Sequence, residues 1–287
     1  MRTLLTTLTL LAAAPAAAST VTIHPDHDNT LCQFGDSSNA LGDIFVGRTG
    51  QADADSRRRG VFHFDVAGSV PAGATITSVK LRLYMNTAAD ATSHTLSLFP
   101  ASASWGEGTS LFNGGRCAAK TTNDASWTYR FYNATSWTSA GGDHGATASQ
   151  TCSVGTTLQY YEWTSNSAMI GDVQGWLNSP SSNNGWELIG DESTSATARR
   201  FTSREGASTE LPELVITYTA GGLRATSAAP AVALPGGLRY LATRDLDGDG
   251  ELDILARDDH RDRLVGIHQG VIWEIQPERD DGDPLAR

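Results

Sequence analysis

Lysine is almost missing from this chain. Lys80 and Lys120 stand alone, arginine carries nearly all the positive charge, and 21 basic residues face 32 acidic ones for a formal net charge of −11. A chain of that sign is repelled by phosphate backbones and anionic lipid surfaces, so nucleic acid is excluded as an expected partner. Charged residues make up only 18% of the sequence, against roughly 25% in an average domain. Gly, Ser, Thr and Ala fill the difference, which is the composition of an exported β-protein with long loops.

Cysteine is scarce as well, with Cys32, Cys117 and Cys152. Cys117 and Cys152 flank one loop-rich region and are the expected disulfide, leaving Cys32 as a small buried residue near the first strand. No local pattern supplies a histidine to activate a cysteine nucleophile, and no GxSxG follows a strand, so both signatures of nucleophilic hydrolysis are wanting.

Long apolar runs are confined to the start. Met1-Arg2 gives a positive charge, Leu4 to Ala14 is apolar apart from threonines, and Ala16-Ala17-Ala18 is a small-residue cleavage pattern. Residues 1–18 are therefore expected to be a secretory signal peptide, with no integral membrane segment after its removal. The expected location is extracellular, secreted or at the cell surface.

What the chain does contain is short alternating segments. Val79, Leu81, Leu83 and Met85 alternate with Lys80, Arg82, Tyr84 and Asn86, the period of a half-buried strand. Phe62, Phe64 and Val66 form another such row, Leu96 and Leu98 a third, and Gly185 to Glu192 adds a further strand. Glu213 to Tyr218 is continuous enough to predict a strand covered on both faces. Many short strands separated by Gly/Pro/Ser/Asn turns predict an all-β fold, a jelly-roll β-sandwich. One segment departs from it. Met169, Ile170, Val173, Trp176 and Leu177 recur at helical spacing between Asn166, a candidate N-cap, and Pro180, so a single short helix is expected there.

Residues 20–219 thus read as the sandwich and 220–237, rich in Gly, Ala, Ser and Pro, as a linker. Residues 238–287 read as a small C-terminal unit of four strands, the size of one propeller blade. Its first hairpin would carry the run RDLDGDGELDIL. Asp245, Asp247 and Asp249 alternate, Gly248 and Gly250 let the backbone curl, and Asp253 closes the loop. Hard oxygens on alternate residues around a tight turn suit Ca²⁺, with the backbone carbonyl of Glu251 as a further ligand. The twelfth position, glutamate in an EF-hand, is Ala256, so the pattern is a calcium-binding hairpin instead. A structural clasp is the expected role, since protein oxygens fill the coordination shell.

Other candidates for chemistry are weaker. His24, Asp26, His27 and Asp28 cluster near the start of the sandwich, but HxxH on extended chain does not bring two rings to one face, and the run reads as a polar strand start. Glu107, Glu162, Asp191, Glu192 and Glu205 could serve as paired carboxylates, with Glu205 expected to pair with an arginine. Trp176 and Trp186 are core by position. Trp127, Tyr132 and Trp137 fall in a Gly/Ser/Thr/Asn-rich region where exposed aromatics are expected, and are the candidate sugar-stacking residues, with core packing as the competing role.

Two resemblances emerge from these segments. DNTL (Asp28 to Leu31), DIFVGRTGQ (Asp43 to Gln51), RRRGVFHFDV (Arg57 to Val66), PAGATITSVKLRLYM (Pro71 to Met85) and DVQGWLNSPSSNNGWELIGDES (Asp172 to Ser193), in that order, resemble the DNRLRE domain family of exported proteins. The DxDGDGxxD loop resembles the FG-GAP repeats of integrin-like propellers, here in a single copy. The first resemblance implies a jelly roll related to carbohydrate-binding modules found beside polysaccharide lyases and hydrolases. The expectation is a secreted, non-catalytic protein that binds polysaccharide or cell-surface glycan, or serves in adhesion. A purely structural matrix component and a carbohydrate-active lyase or hydrolase remain the alternatives.

Overall fold

Val79, Leu81, Leu83 and Met85 line one side of a 14-residue strand, Thr75–Ala88, and all four are fully buried. Around this strand the computed structural model builds an all-β, sandwich-like fold with a single α-helix among the described residues, which are 17–51, 56–220, 238–244, 253–258, 261, 263–268 and 271–274. The chain divides into two compact units after Leu223, inside the segment read as a linker.

In chain order the strands of the first unit are β1 (Ala18–Ile23), β2 (His27–Cys32), β3 (Ser37–Ser38), β4 (Ile44–Arg48), β5 (Arg57–His63), β6 (Thr75–Ala88), β7 (His94–Pro100), β8 (Tyr129–Phe131), β9 (Thr135–Ser136), β10 (Gln150–Val154), β11 (Gln159–Trp163), β12 (Trp186–Ile189), β13 (Arg199–Phe201) and β14 (Glu213–Thr219). The main sheet runs β1-β14-β6-β13-β4-β5-β12-β7-β10, with β11 on β6 and β2 on β5. It curls on itself at β4, whose residues 44–46 pair with β13 and whose Gly47 and Arg48 pair with β5. The inner faces meet in one core holding Phe62, Phe64, Leu96, Leu98, Leu188, Leu214 and Ile216 beside the β6 row.

The helix α1 (Ser167–Asn178) closes this core. Asn166 caps it, its Oδ1 accepting from the Met169 N–H at 2.9 Å, which satisfies one of the four free donors at a helix start. Met169, Val173, Trp176 and Leu177 are buried. The Trp176 ring lies 4.5 Å from Trp186, whose Nε1–H donates to Asp172 on the same helix at 2.8 Å.

The expectation for β14 is corrected. In β14 only Leu214 and Ile216 are buried, while Val215 and Thr217 are half-exposed. β12 is among the strands covered on both sides, with Trp186, Glu187 and Leu188 all buried. Its outer cover comes from the long excursion 101–149 between β7 and β10. Leu31 and Val61 face that side, and Trp105, Ala125, Trp127 and Trp137 pack onto them as a second core.

The second unit is a four-stranded antiparallel sheet, β15 (Leu238–Arg244), β16 (Asp253–Asp258), β17 (Arg263–His268) and β18 (Val271–Glu274), in sequential order. Ala256, Val265 and Ile267 are buried on it, with Leu238 and Ile254 packed beside them.

Candidate functional site

Trp127 and Trp137 are buried, at 8% and 6% exposure, and so cannot stack on a ligand from outside. The Trp137 Nε1–H donates to the Ser126 carbonyl at 2.9 Å, and the Arg59 guanidinium lies 5.1 Å from the Trp127 ring centre. Tyr132 is half-buried, its ring 5.3 Å from Tyr129 and 5.0 Å from the Lys120 ammonium. The polar composition around these residues suggested a surface; the outward row Leu31–Val61 gives the aromatics something to cover instead.

The disulfide is also relocated. Cys117 bonds to Cys32, and Cys152 is a free thiol. Cys152 sits on β10 opposite Leu96, whereas the Ser38–Ala118 bridge draws Cys117 to the end of β2.

This relocation shapes the most accessible aromatic of the first unit. Residues 111–116 form a loop held at both ends. At the near end, the Phe112 N–H donates to Asn39 Oδ1 at 2.7 Å and the Leu41 N–H to the Ser110 carbonyl at 2.9 Å. At the far end stands the disulfide, and between them Arg58 Nε donates to the Gly115 carbonyl at 2.7 Å. Arg58 is fully buried, and burial lowers its guanidinium to about 10.

Phe112 stands on this loop 44% exposed, next to Leu111 at 53%. It divides two adjoining hollows of about 190 and 360 Å³ that share Phe45, Phe112, Gly114 and Arg200. Asp43, Ser203 and Glu205 complete the smaller one. Arg200 is paired with Asp43 at 3.3 Å and donates to Asn86 Oδ1 at 2.5 Å. Burial pushes the Glu205 carboxyl up; Arg204 opposes that and Glu107 adds to it. The hollow therefore offers hydrogen-bond donors and acceptors side by side beneath an apolar ring.

The remaining candidate carboxylates are engaged in the fold. Glu107 accepts from Arg204 at 2.7 Å and from the Asp28 N–H at 2.8 Å. Glu162 binds Lys80 and Arg82, and Glu192 holds Arg59 through two hydrogen bonds of 2.6 and 2.9 Å. Asp191 accepts from Ser193 and Thr194. Glu205 pairs with Arg204 at 2.9 Å, near the end of β13.

At the opposite end of β2 stands a cluster of two histidines and an aspartate. His27 and His63 are register partners across β2 and β5. His63 Nδ1 lies 2.6 Å from Asp26 Oδ1, and His27 Nδ1 lies 3.4 Å from Asp26 Oδ2. His24 takes no part, its Nδ1 being 2.8 Å from the Pro212 carbonyl.

Of the calcium-loop residues, Asp245, Asp247, Asp249 and Glu251 lie outside the described residues, and Asp253 opens β16 as the register partner of Arg244. No helix among the described residues is long and apolar enough to cross a membrane. No protein-family model matches the chain, and no curated protein matches it.

Proposed function

We propose that the chain is an exported, non-catalytic module of the DNRLRE type that grips a neutral, hydroxyl-rich polysaccharide in the hollow beside Phe112. The observation that carries this reading is Phe112 itself, an exposed aromatic on a loop fastened at both ends. A sugar ring stacks its C–H face on such a side chain, and the paired Asp43 and Arg200 supply an acceptor and a donor for its hydroxyls. Because that loop is already ordered, binding costs less conformational entropy. Two carboxylates, Asp43 and Glu205, line the hollow against the single guanidinium of Arg200, a balance that favours a neutral chain over a uronate polymer.

The non-catalytic reading is supported by the engagement of Glu107, Glu162, Asp191, Glu192 and Glu205 with structural partners. In the second unit the fit to Ca²⁺ rests on the eight residues 245–252 joining register partners Arg244 and Asp253, which makes the acidic run a hairpin connection. Its carboxylates would hold the ion as a clasp. A structural component without ligand is the second reading, favoured by the burial of Trp127 and Trp137.

Affinity electrophoresis through gels containing neutral glucans, mannans or a uronate polymer tests the proposal. Retardation by a neutral polymer, abolished in Phe112→Ala and weakened in Arg200→Ala, is expected. Equal mobility of wild type and Phe112→Ala in every gel would leave the structural reading standing.

A further inference from the structure

We infer that Asp26, His27 and His63 form a binding site for one divalent transition-metal ion of the Zn²⁺ class. The site is independent of the polysaccharide hollow and of the acidic hairpin.

Its geometry follows from the sheet. Directly opposed residues on antiparallel strands send their side chains to the same face, so pairing His27 with His63 puts two imidazoles on the outer side of the β2–β5 ladder. Their ring centres are 5.8 Å apart and the planes meet at 71°. Rings inclined in this way can turn one nitrogen each toward a common point without stacking. Asp26 immediately precedes β2, and its backbone N–H donates to the His63 carbonyl at 3.1 Å, which fixes its carboxylate over the pair. One ligand atom from each of the three residues lies within 4.8 Å of the others. Bonds of about 2.0–2.1 Å would set neighbouring atoms of a tetrahedral centre about 3.3 Å apart, so small side-chain rotations bring the three to coordinating distance.

The donor chemistry selects the ion. Two imidazoles and one carboxylate suit Zn²⁺, Cu²⁺, Ni²⁺ or Co²⁺, whereas Ca²⁺ and Mg²⁺ require a shell of oxygens. The side chains of Asp26, His27 and His63 are 39%, 48% and 24% exposed, so an ion can enter from solvent. Three protein ligands leave a fourth position. A cavity of about 120 Å³ borders both imidazoles, lined further by Ser104, Trp105, Asn183 and Asn184, and is large enough for a metal-bound water. The ion would take the Nδ1 lone pair of each imidazole, a neutral ring keeping its one proton on Nε2, and the Asp26 carboxylate that now faces both rings would face the ion.

The full-length chain, stripped of metal and then held in excess Ca²⁺ so that the acidic hairpin is saturated, is titrated with Co²⁺ and Zn²⁺. Calorimetry should give one Zn²⁺ per chain, and Co²⁺ should give visible d–d absorption that Zn²⁺ abolishes. His27→Ala, His63→Ala and Asp26→Asn should each weaken binding by at least about tenfold, while His24→Ala should leave it unchanged. Histidine ring NMR of the unmutated chain provides a readout free of folding defects: Zn²⁺ should shift two of the seven histidines. Unaltered Zn²⁺ affinity in the His63→Ala variant, or ring shifts spread over other histidines, would overturn the assignment.

Discussion

Cys117 is joined to Cys32, 85 residues upstream, so the loop that carries Phe112 is tied to the last residue of β2. A cross-link over that span restricts the unfolded chain and is worth about 2–4 kcal/mol. The Cys32→Ser/Cys117→Ser double variant should therefore be less stable by that amount, with a correspondingly lower denaturant midpoint. It should also lose polysaccharide retention in the gel assay before it loses its fold. Parallel denaturant melts and gel shifts of the same preparation check both outcomes.

The tryptophans and the phenylalanine should respond in opposite ways. Trp137 fills the second core, so Trp137→Ala should cost about 3–5 kcal/mol. Phe112→Ala removes an exposed ring and should change stability by less than about 0.5 kcal/mol, while removing polysaccharide affinity. Urea melts of the two variants distinguish the roles: a stable Trp137→Ala protein would mean that the excursion 101–149 is not a core layer.

Glu187 on β12 is 1% exposed and receives a single Arg59 hydrogen bond at 3.3 Å, while Glu192 takes two shorter ones from the same guanidinium. Burial raises its carboxyl to about 8, against the pull of Arg59. The unfolded chain gives up this proton near the ordinary glutamate value, and the folded chain keeps it. Stability from this group is thus full at acid pH and falls as pH rises from about 4.5 to about 8. Glu187→Gln should flatten that slope and be more stable than wild type at pH 8 by roughly 1–3 kcal/mol, measured by melts across the interval.

Chelation tests the clasp in the second unit. Calcium at about 100 times its dissociation constant stabilises the folded form by about 2.7 kcal/mol. Adding EGTA should lower the calorimetric transition of this unit, Ca²⁺ but not Mg²⁺ should restore it, and an Asp247→Asn/Asp249→Asn variant should show no response. A transition indifferent to EGTA would remove the calcium clasp from the account.

Much of the fold was legible because period-two burial repeats over enough residues in β6, and helical spacing with an Asn cap over enough in α1, to override composition. The second core was not, because the segment around Trp127 and Trp137 reads as loop by its Gly, Ser and Asn. The overlooked signal was Val61, an apolar residue on the outward register between inward Gly60 and Phe62. Long-range pairings were invisible for a different reason. Neither the partnership of His27 with His63 nor that of Cys32 with Cys117 leaves a local trace, since both depend on strand register set elsewhere.

The shared strand β4 has a mechanical consequence. Its first three residues are laddered to β13 and its last two to β5, so the two halves of the sandwich are stitched along one seam of hydrogen bonds. Neither half can peel away while that seam holds. Under native-state hydrogen exchange, the amides on either side of it should then open together, as a single foldon with one opening free energy.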